Sequence, residues 1–482
     1  MDATALLDST GALLPHIIVL ATGLVILALD LFLTPRSRYL NELIGVVGVL
    51  VALLVTLPQP VAPRPIFMGM ASADGISAFF NAIFLLIALL VMLLSTDYVR
   101  QEDINAGEYY ALVLFATSGF MFAAAATDLV MLFLAIEVLS VATYILAGLQ
   151  RQEPRSQEAA FKYFILGAFS SAFFLYGIAT IYGAQGHTNL VTLGTALATT
   201  GASPLTLLGM GLLMVGLGFK AAAVPFHMWA PDVYEGAPTS VTAFMTVGPK
   251  AAAFAAFLRV FFQGFAAPAE YWVPIVAVLA GLTMIVGNVV AITQQSLKRM
   301  LAYSSIAHAG YALVALAAHT ALGASSILFY LIAYTLMSLG SFAVVSVVAK
   351  PGDQRHAFTD YAGLGSTNPA LAALMSLFMF ALAGFPPTIG FAGKFYVFGA
   401  AVKTGHYWLA LIGMLTSVVS VFYYARVIIM MYMHEPSGER QPICLAPTMV
   451  ALLGITAAGI VLLGVFPGSV LRLAERSVQL LF

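Results

Sequence analysis

The sequence predicts an all-α integral membrane protein of about fourteen transmembrane helices. Three observations predict it. Of 482 residues, 61% are hydrophobic and only 9% charged, against about 25% charged in soluble proteins. Apolar runs of about 17–25 residues, long enough to cross a bilayer, recur along the chain. Four charges nonetheless interrupt such runs: Glu137, Lys220, Lys250 and Lys394. A charge at the bilayer centre costs roughly 2.5–3.5 kcal/mol on insertion scales, so such residues are rare and usually functional. The pattern points to a path for protons or ions.

The predicted spans fall near 12–33, 40–57, 76–97, 109–126, 128–149, 158–183, 204–224, 239–263, 270–292, 301–318, 325–349, 369–400, 406–433 and 448–467. The N-terminus carries two aspartates and no basic segment, so the first span does not read as a cleaved signal peptide. Two spans are interrupted. The seventh runs into GFKAAAVPFHMWAPDVYEGAP, with Lys220 five residues before Pro225; the twelfth holds LAGFPPTIGFAGKF, with Pro386 and Pro387 before Lys394. Proline removes a backbone donor, and carbonyls freed in a membrane need protein or water partners. Paired interruptions point to inverted repeats around a central ion site.

Lys220 and Lys394 lie 174 residues apart. The same offset carries Glu137 close to His308 and Lys250 close to Arg426. The expected organisation is an N-terminal unit (1–105, helices 1–3), a first repeat (106–265, helices 4–8), an inverted second repeat (266–435, helices 9–13) and a last helix (436–482). Loop charges set the orientation. One side holds Arg36, Arg38, Arg100, Arg151, Arg155, Lys298, Arg299, Lys350, Arg355 and Arg440, and the side of the termini only Arg64, Lys403, Arg472 and Arg476. By the positive-inside rule both termini lie outside.

Other classes drop out. Net charge is −1, which gives no reason to expect nucleic acid. One cysteine, Cys444, cannot build an iron–sulfur cluster or a structural zinc site. The histidines show no ligand spacing and no dinucleotide fingerprint follows a strand. GFAGKF superficially matches a phosphate-binding loop, but it lacks the Ser/Thr after the lysine and lies inside an apolar span. No redox cofactor, nucleotide or metal is expected in this chain.

Glu137 sits about nine residues into its helix, roughly 14 Å at 1.5 Å per residue. With Lys220 it forms a candidate pair that switches between a locked ion pair and a separated state. Lys250 has no carboxylate on its own helix and suits a proton carrier. Lys394 fits either a functional site or a lysine reaching for the interface. His308 and His227 fit a proton shuttle or a hydrogen-bonded packing residue. Lys162 fits an interface anchor or a relay step. Arg259 and Arg426 read as structural, and the aromatics mostly as lipid-facing and belt residues.

Four stretches carry a family resemblance: LAIEVLSVATYILAGL, GFKAAAVPFHMWAPDVYEGAPTSVTAFM, QQSLKRMLAYSSIAHAGY and NPALAALMSLFMFALAGFPPTIGFAGKFYVF. Across roughly residues 130–400 the chain resembles the antiporter-like membrane subunits of respiratory complex I, the proton-pumping NADH:quinone oxidoreductase. EAAFKYFILGAFSSAFFLYG, Lys394 and the short C-terminal stretch make it most similar to the N-type members. The resemblance implies fourteen helices, inverted repeats over helices 4–8 and 9–13, and broken helices 7 and 12. It implies a glutamate–lysine pair at Glu137 and Lys220, a central lysine at Lys250, a connecting His308, and Lys394 facing the exit half. It also implies partner subunits of the membrane and peripheral arms that hold NAD, FMN, iron–sulfur clusters and quinone, in a bacterial inner membrane, where the charge rule makes the termini periplasmic. Two other readings stay open: a subunit of a multi-subunit cation/proton antiporter, and a scaffold whose charges only bind neighbours.

Overall fold

Several helices in this chain start at side chains that cap free backbone N–H groups. Asp74 accepts from Ser77 N–H while the Ser77 hydroxyl accepts from Asp74 N–H, Asp128 accepts from Val130 N–H, and Ser296 from Arg299 N–H. The computed structural model describes residues 3–34, 36–57, 62–349, 356–436 and 443–482. Lys350, Arg355 and Arg440, three of the charges on which orientation rests, lie outside the described residues.

The first six helices are α1 (Ala3–Asp30), α2 (Tyr39–Thr56), α3 (Gly75–Gln101), α4 (Ala106–Ala125), α5 (Leu129–Ala147) and α6 (Pro154–Gln185). A short α7 (Leu190–Thr200) precedes α8 (Pro204–Ala221), α9 (Trp229–Gly236) and α10 (Thr239–Phe257). Then follow α11 (Ala269–Thr293), α12 (Leu297–Ala317), α13 (Ala321–Val348) and the single turn α14 (Leu364–Thr367). The chain ends with α15 (Pro369–Ala383), α16 (Ile389–Lys403), α17 (Tyr407–Met433), α18 (Pro447–Val465) and α19 (Gly468–Ser477). Among the described residues, thirteen helices are long and apolar enough to cross a membrane. The predicted span 369–400 is the pair α15 and α16. An antiparallel hairpin, β1 (Arg64–Ile66) with β2 (Ala71–Ala73), is the small exception to an all-helical chain.

α10 is buried along its whole length and packs against α3, α4, α8 and α13; α1, α2, α17 and α18 lie at the periphery and are largely exposed. With no hydrophobic drive between helices in lipid, close approach at small residues sustains packing. Gly177 of α6 and Gly209 of α8 meet backbone to backbone: a Cβ on either would lie 2.9–3.0 Å from the other's carbonyl oxygen.

One end of the bundle is closed by the hairpin. Ala71 pairs with Ala126 and Asp128 with Asn189, and Asn189 donates to Gly69 O. At the opposite end Ser296 pairs with Ala357 and its hydroxyl donates to Glu235.

Both predicted breaks are present. α8 ends at Ala222 in the left-handed region, α15 at Gly384 in the same region, and each following loop holds a cis proline, Pro225 and Pro387. These prolines lie 162 residues apart, not the 174 that pairs the two lysines. Lys220 stands in the last turn before its break and Lys394 in the second turn after its own, so they are not equivalent residue for residue. The breaks superpose at 162, and that offset takes Lys394 to Asp232.

Candidate functional site

Lys220 is 5% exposed. Its ammonium donates to Ser140 Oγ at 2.6 Å and to Tyr144 Oη at 3.3 Å. It also lies 5.2 Å from the centre of the Tyr144 ring and 5.7 Å from that of Tyr163, where the ring faces favour a cation. Gly167 makes room for this, because a Cβ there would lie 1.9 Å from Tyr144 Oη. The carbonyls freed at the end of α8 are satisfied locally: Ala223 N–H donates to Gly218 O and Trp229 Nε1 to Phe219 O.

Glu137 shares α5 with Ser140 and Tyr144, but it does not pair with Lys220. Its carboxylate is half-buried and accepts from Ser171 Oγ at 2.5 Å. The structure therefore holds the separated arrangement of the two that the sequence allows.

Lys250, 2% exposed, stands beside Pro249 in the middle of α10. Proline leaves the carbonyl four residues back without its helical donor, and Tyr234 Oη donates to that Met245 O instead. The Lys250 ammonium donates to both the carbonyl and the hydroxyl oxygen of Ser305 on α12. One turn along, on the same helical face, is His308. Its Nδ1 lies 2.7 Å from Tyr330 Oη and its Nε2 3.2 Å from Tyr424 Oη. Tyr424 in turn bonds Ser304.

Lys394 closes the row. It is 5% exposed and donates to Leu382 O at 3.1 Å and Ala383 O at 2.9 Å. It thus caps the broken end of α15 with its charge, as a cation at a helix C-terminus does favourably. Its ammonium lies 4.8 Å from the Tyr311 ring centre, and that ring is 5.5 Å from His308.

Lys250 and Lys394 thus flank His308, Lys250 through Ser305 one turn away on α12 and Lys394 through the Tyr311 ring, with Lys220, bonded to Ser140 on the helix that also carries Glu137, in a second group. The hydroxyls of Ser140, Tyr144, Ser305, Tyr330 and Tyr424 that meet these amines and the imidazole both donate and accept, which suits them to passing protons. Among the described residues no direct hydrogen bond joins the two groups.

Lys162 is placed elsewhere. It is half-exposed on α6 and pairs with Glu158 at 2.7 Å and with Asp232 of α9 at 3.0 Å; Asp232 also pairs with Arg299 of α12 at 2.8 Å. Burial pushes the Asp232 carboxyl up, but the hydrogen bonds from Lys162 and Arg299 outweigh it and hold the group below the usual carboxylate range. Its contribution is therefore complete at neutral pH and is lost only as pH falls through that depressed value. His227 is half-buried in the loop after Pro225. Arg259 pairs with Asp74 and Arg426 bonds Gln294 and Gln295, both holding structure together as expected.

Two sequence readings need correction. The aromatics do not mostly face lipid: Phe161, Phe169 and Phe395 do, but Tyr144, Tyr163, Tyr311, Tyr330, Tyr334 and Tyr424 are buried, their hydroxyls or rings serving the charged groups. The signal was their spacing, since Ser140 and Tyr144 follow Glu137 by three and seven residues. Lys298, counted as a loop charge, is 1% exposed and donates to Ala237 O at 2.6 Å.

A sequence profile of the membrane family described as NADH:quinone oxidoreductase/Mrp antiporter matches residues 126–420. A NADH-quinone oxidoreductase subunit N from Trichlorobacter lovleyi is 46% identical over 476 residues, covering 98% of this chain and 97% of its own. Subunit N 2 from Rhizobium meliloti is 44% identical, with 99% of each chain covered. Among solved structures, a chain of respiratory complex I from Thermus thermophilus, determined with bound aureothin, matches with a TM-score of 0.82 at 37% identity, over 96% of this chain and 99% of that one. A chain of the Mrp complex from Dietzia sp. reaches 0.84 at 20% identity, over 98% of this chain and 97% of that one; that likeness concerns the fold alone.

Proposed function

The chain belongs to the membrane-subunit family that NADH:quinone oxidoreductases share with Mrp antiporters, and we propose that it moves protons across the membrane arm of a bacterial complex I. In this reading NADH oxidation and quinone reduction take place in partner subunits, which hold NAD, FMN, the iron–sulfur clusters and the quinone; a chain with one cysteine has no ligand set for such clusters. Energy released there reaches this chain as a change in charge around Glu137 and Lys220. The proton then passes along Lys220, Lys250, His308 and Lys394.

The observation that carries the reading is the set of three buried amines and one imidazole, of which Lys220, Lys250 and His308 each meet a hydroxyl and Lys394 the Tyr311 ring. Among the described residues none of the three amines sits in an ion pair; each donates to hydroxyl or carbonyl oxygens instead. Lys162, on the charged cluster at one end of the bundle, is a candidate for the first step from water rather than for the buried row.

The inverted-repeat organisation of helices 4–8 and 9–13 belongs to the same proposal. It is supported by the two breaks and by a second correspondence. Asp128 before α5 bridges to Asn189 and Ser296 before α12 to Ala357, at opposite ends of the bundle and each across 61 residues. The termini are placed on the periplasmic side by the charge rule.

Membership of a cation/proton antiporter is the second reading. It rests on the shared fold, whereas identity above 40% over nearly the full length lies with the oxidoreductase subunits. Purification of the tagged chain decides between them. Flavin and iron–sulfur subunits with NADH:quinone activity should accompany it; companions lacking redox groups would overturn the proposal. Against the scaffold reading, Glu137→Ala and Lys220→Ala are expected to cut turnover and pumping while the complex still assembles. Normal coupled turnover in both variants would remove these residues from the path.

A further inference from the structure

Where α1 gives way to α2 and α3 to α4, the helix ends surround a cavity of about 460 Å³ lined by Arg36, Arg38, Arg100, Glu42, Thr96 and Asp103, among others. None of the three guanidinium groups takes part in an ion pair or side-chain hydrogen bond among the described residues, and all three residues are exposed. Glu42 is already engaged, since Thr96 Oγ1 donates to its carboxylate at 2.6 Å. Three cations against the carboxylates of Glu42 and Asp103 leave the lining with one net positive charge.

The place of this cavity decides what reaches it. It lies at the ends of membrane-spanning helices, at headgroup depth. From its mouth the outer face of α2 runs down as an exposed apolar stripe, Leu43, Val47, Leu50 and Leu54, repeating at helical spacing along one side. Leu31 and Phe32, each 83% exposed, flank it in the α1–α2 turn. A guanidinium fork matches the oxygens of a phosphodiester, and basic pockets between membrane helices suit anionic headgroups.

We propose that this cavity binds the headgroup of an anionic phospholipid. The phosphodiester sits among Arg36, Arg38 and Arg100, and the acyl chains lie along the Leu43–Leu54 stripe. The single negative charge of a phosphatidylglycerol balances the net charge of the lining. Such a lipid ties the α1–α2 turn to the start of α4, and the proposal does not depend on what the rest of the chain pumps.

The chain, purified from membranes with the subunits that accompany it, is placed in nanodiscs containing phosphatidylglycerol or phosphatidylcholine with a photoreactive acyl chain. Adducts are then mapped by mass spectrometry. Adducts on the segment 31–54 are expected to be roughly tenfold or more enriched for phosphatidylglycerol, since each arginine near an anionic surface favours it by about fivefold. Arg36→Gln with Arg38→Gln and Arg100→Gln should bring labelling to the phosphatidylcholine level. If that triple variant does not accumulate, Arg36→Gln alone, in an exposed turn, should lower labelling by about fivefold. Excess inorganic phosphate should leave the adducts in place, and displacement by it would mean a free-anion site instead. Equal labelling by the two lipids, unchanged labelling in the variants, or adducts absent because a neighbouring subunit covers the cavity would overturn the proposal.

Discussion

Lys250→Met is expected to lower coupled turnover roughly tenfold or more while the chain still inserts and assembles. The side chain lies in a helix buried along its whole length, and its ammonium joins α10 to Ser305 of α12. Methionine conserves most of the volume, and replacing a buried charge with an apolar group of similar size is often neutral for stability. What is lost is the group that accepts and releases a proton. Lys250→Arg separates charge from transfer, because a guanidinium keeps its proton under all relevant conditions. Turnover in the arginine variant should fall as far as in the methionine variant. Restoration by arginine would show that Lys250 acts only through its charge.

The largest effect on stability is expected from Asp74→Ala. Arg259, in the wider π-helical turn Leu258–Gly264 that continues α10, pairs with Asp74 at 2.7 Å, with exposures of 0% and 2%. Its Nε also donates to Ala124 O. Removing one partner of a buried pair leaves an uncompensated charge and costs about 3–5 kcal/mol; the lost cap on α3 adds about 1 kcal/mol. Little of the chain should then remain in the membrane, as read by immunoblot. Asp74→Ala combined with Arg259→Met should recover part of that amount, because the stranded charge is gone. The sign with pH follows from the same contacts. Burial pushes the Asp74 carboxyl up, but the Arg259 charge and hydrogen bonds outweigh it and hold the group below its usual range. The pair therefore stabilises at neutral pH and is lost only as pH falls through that depressed value.

The helices were legible because bilayer crossing demands length and apolarity, and both are written locally. Fourteen predicted spans found helices, the twelfth as the two pieces its prolines foretold. What was not legible needs distance information. α7 is too short and α19 too polar on one side to register as apolar runs, so both escaped. Tyrosine serves equally at a membrane belt or in a wet core, and only the neighbours tell which. Tyr330 and Tyr424 become part of the site because α13 and α17 bring them to the two nitrogens of His308. Glu137 and Lys220 are close enough in type and depth to suggest a pair, yet Ser171 and Ser140 take their hydrogen bonds. The offset that pairs the lysines is likewise not the one that pairs the two prolines.

In the proposed path protons move along the buried row from Lys220 through Lys250 and His308 to Lys394. Protons moved per NADH oxidised, measured in proteoliposomes holding the assembled complex with Lys250→Met, tests it most directly. A lower ratio than in the parent complex, or turnover so slowed that pumping ceases, is the predicted result. An unchanged ratio at unchanged turnover would contradict it.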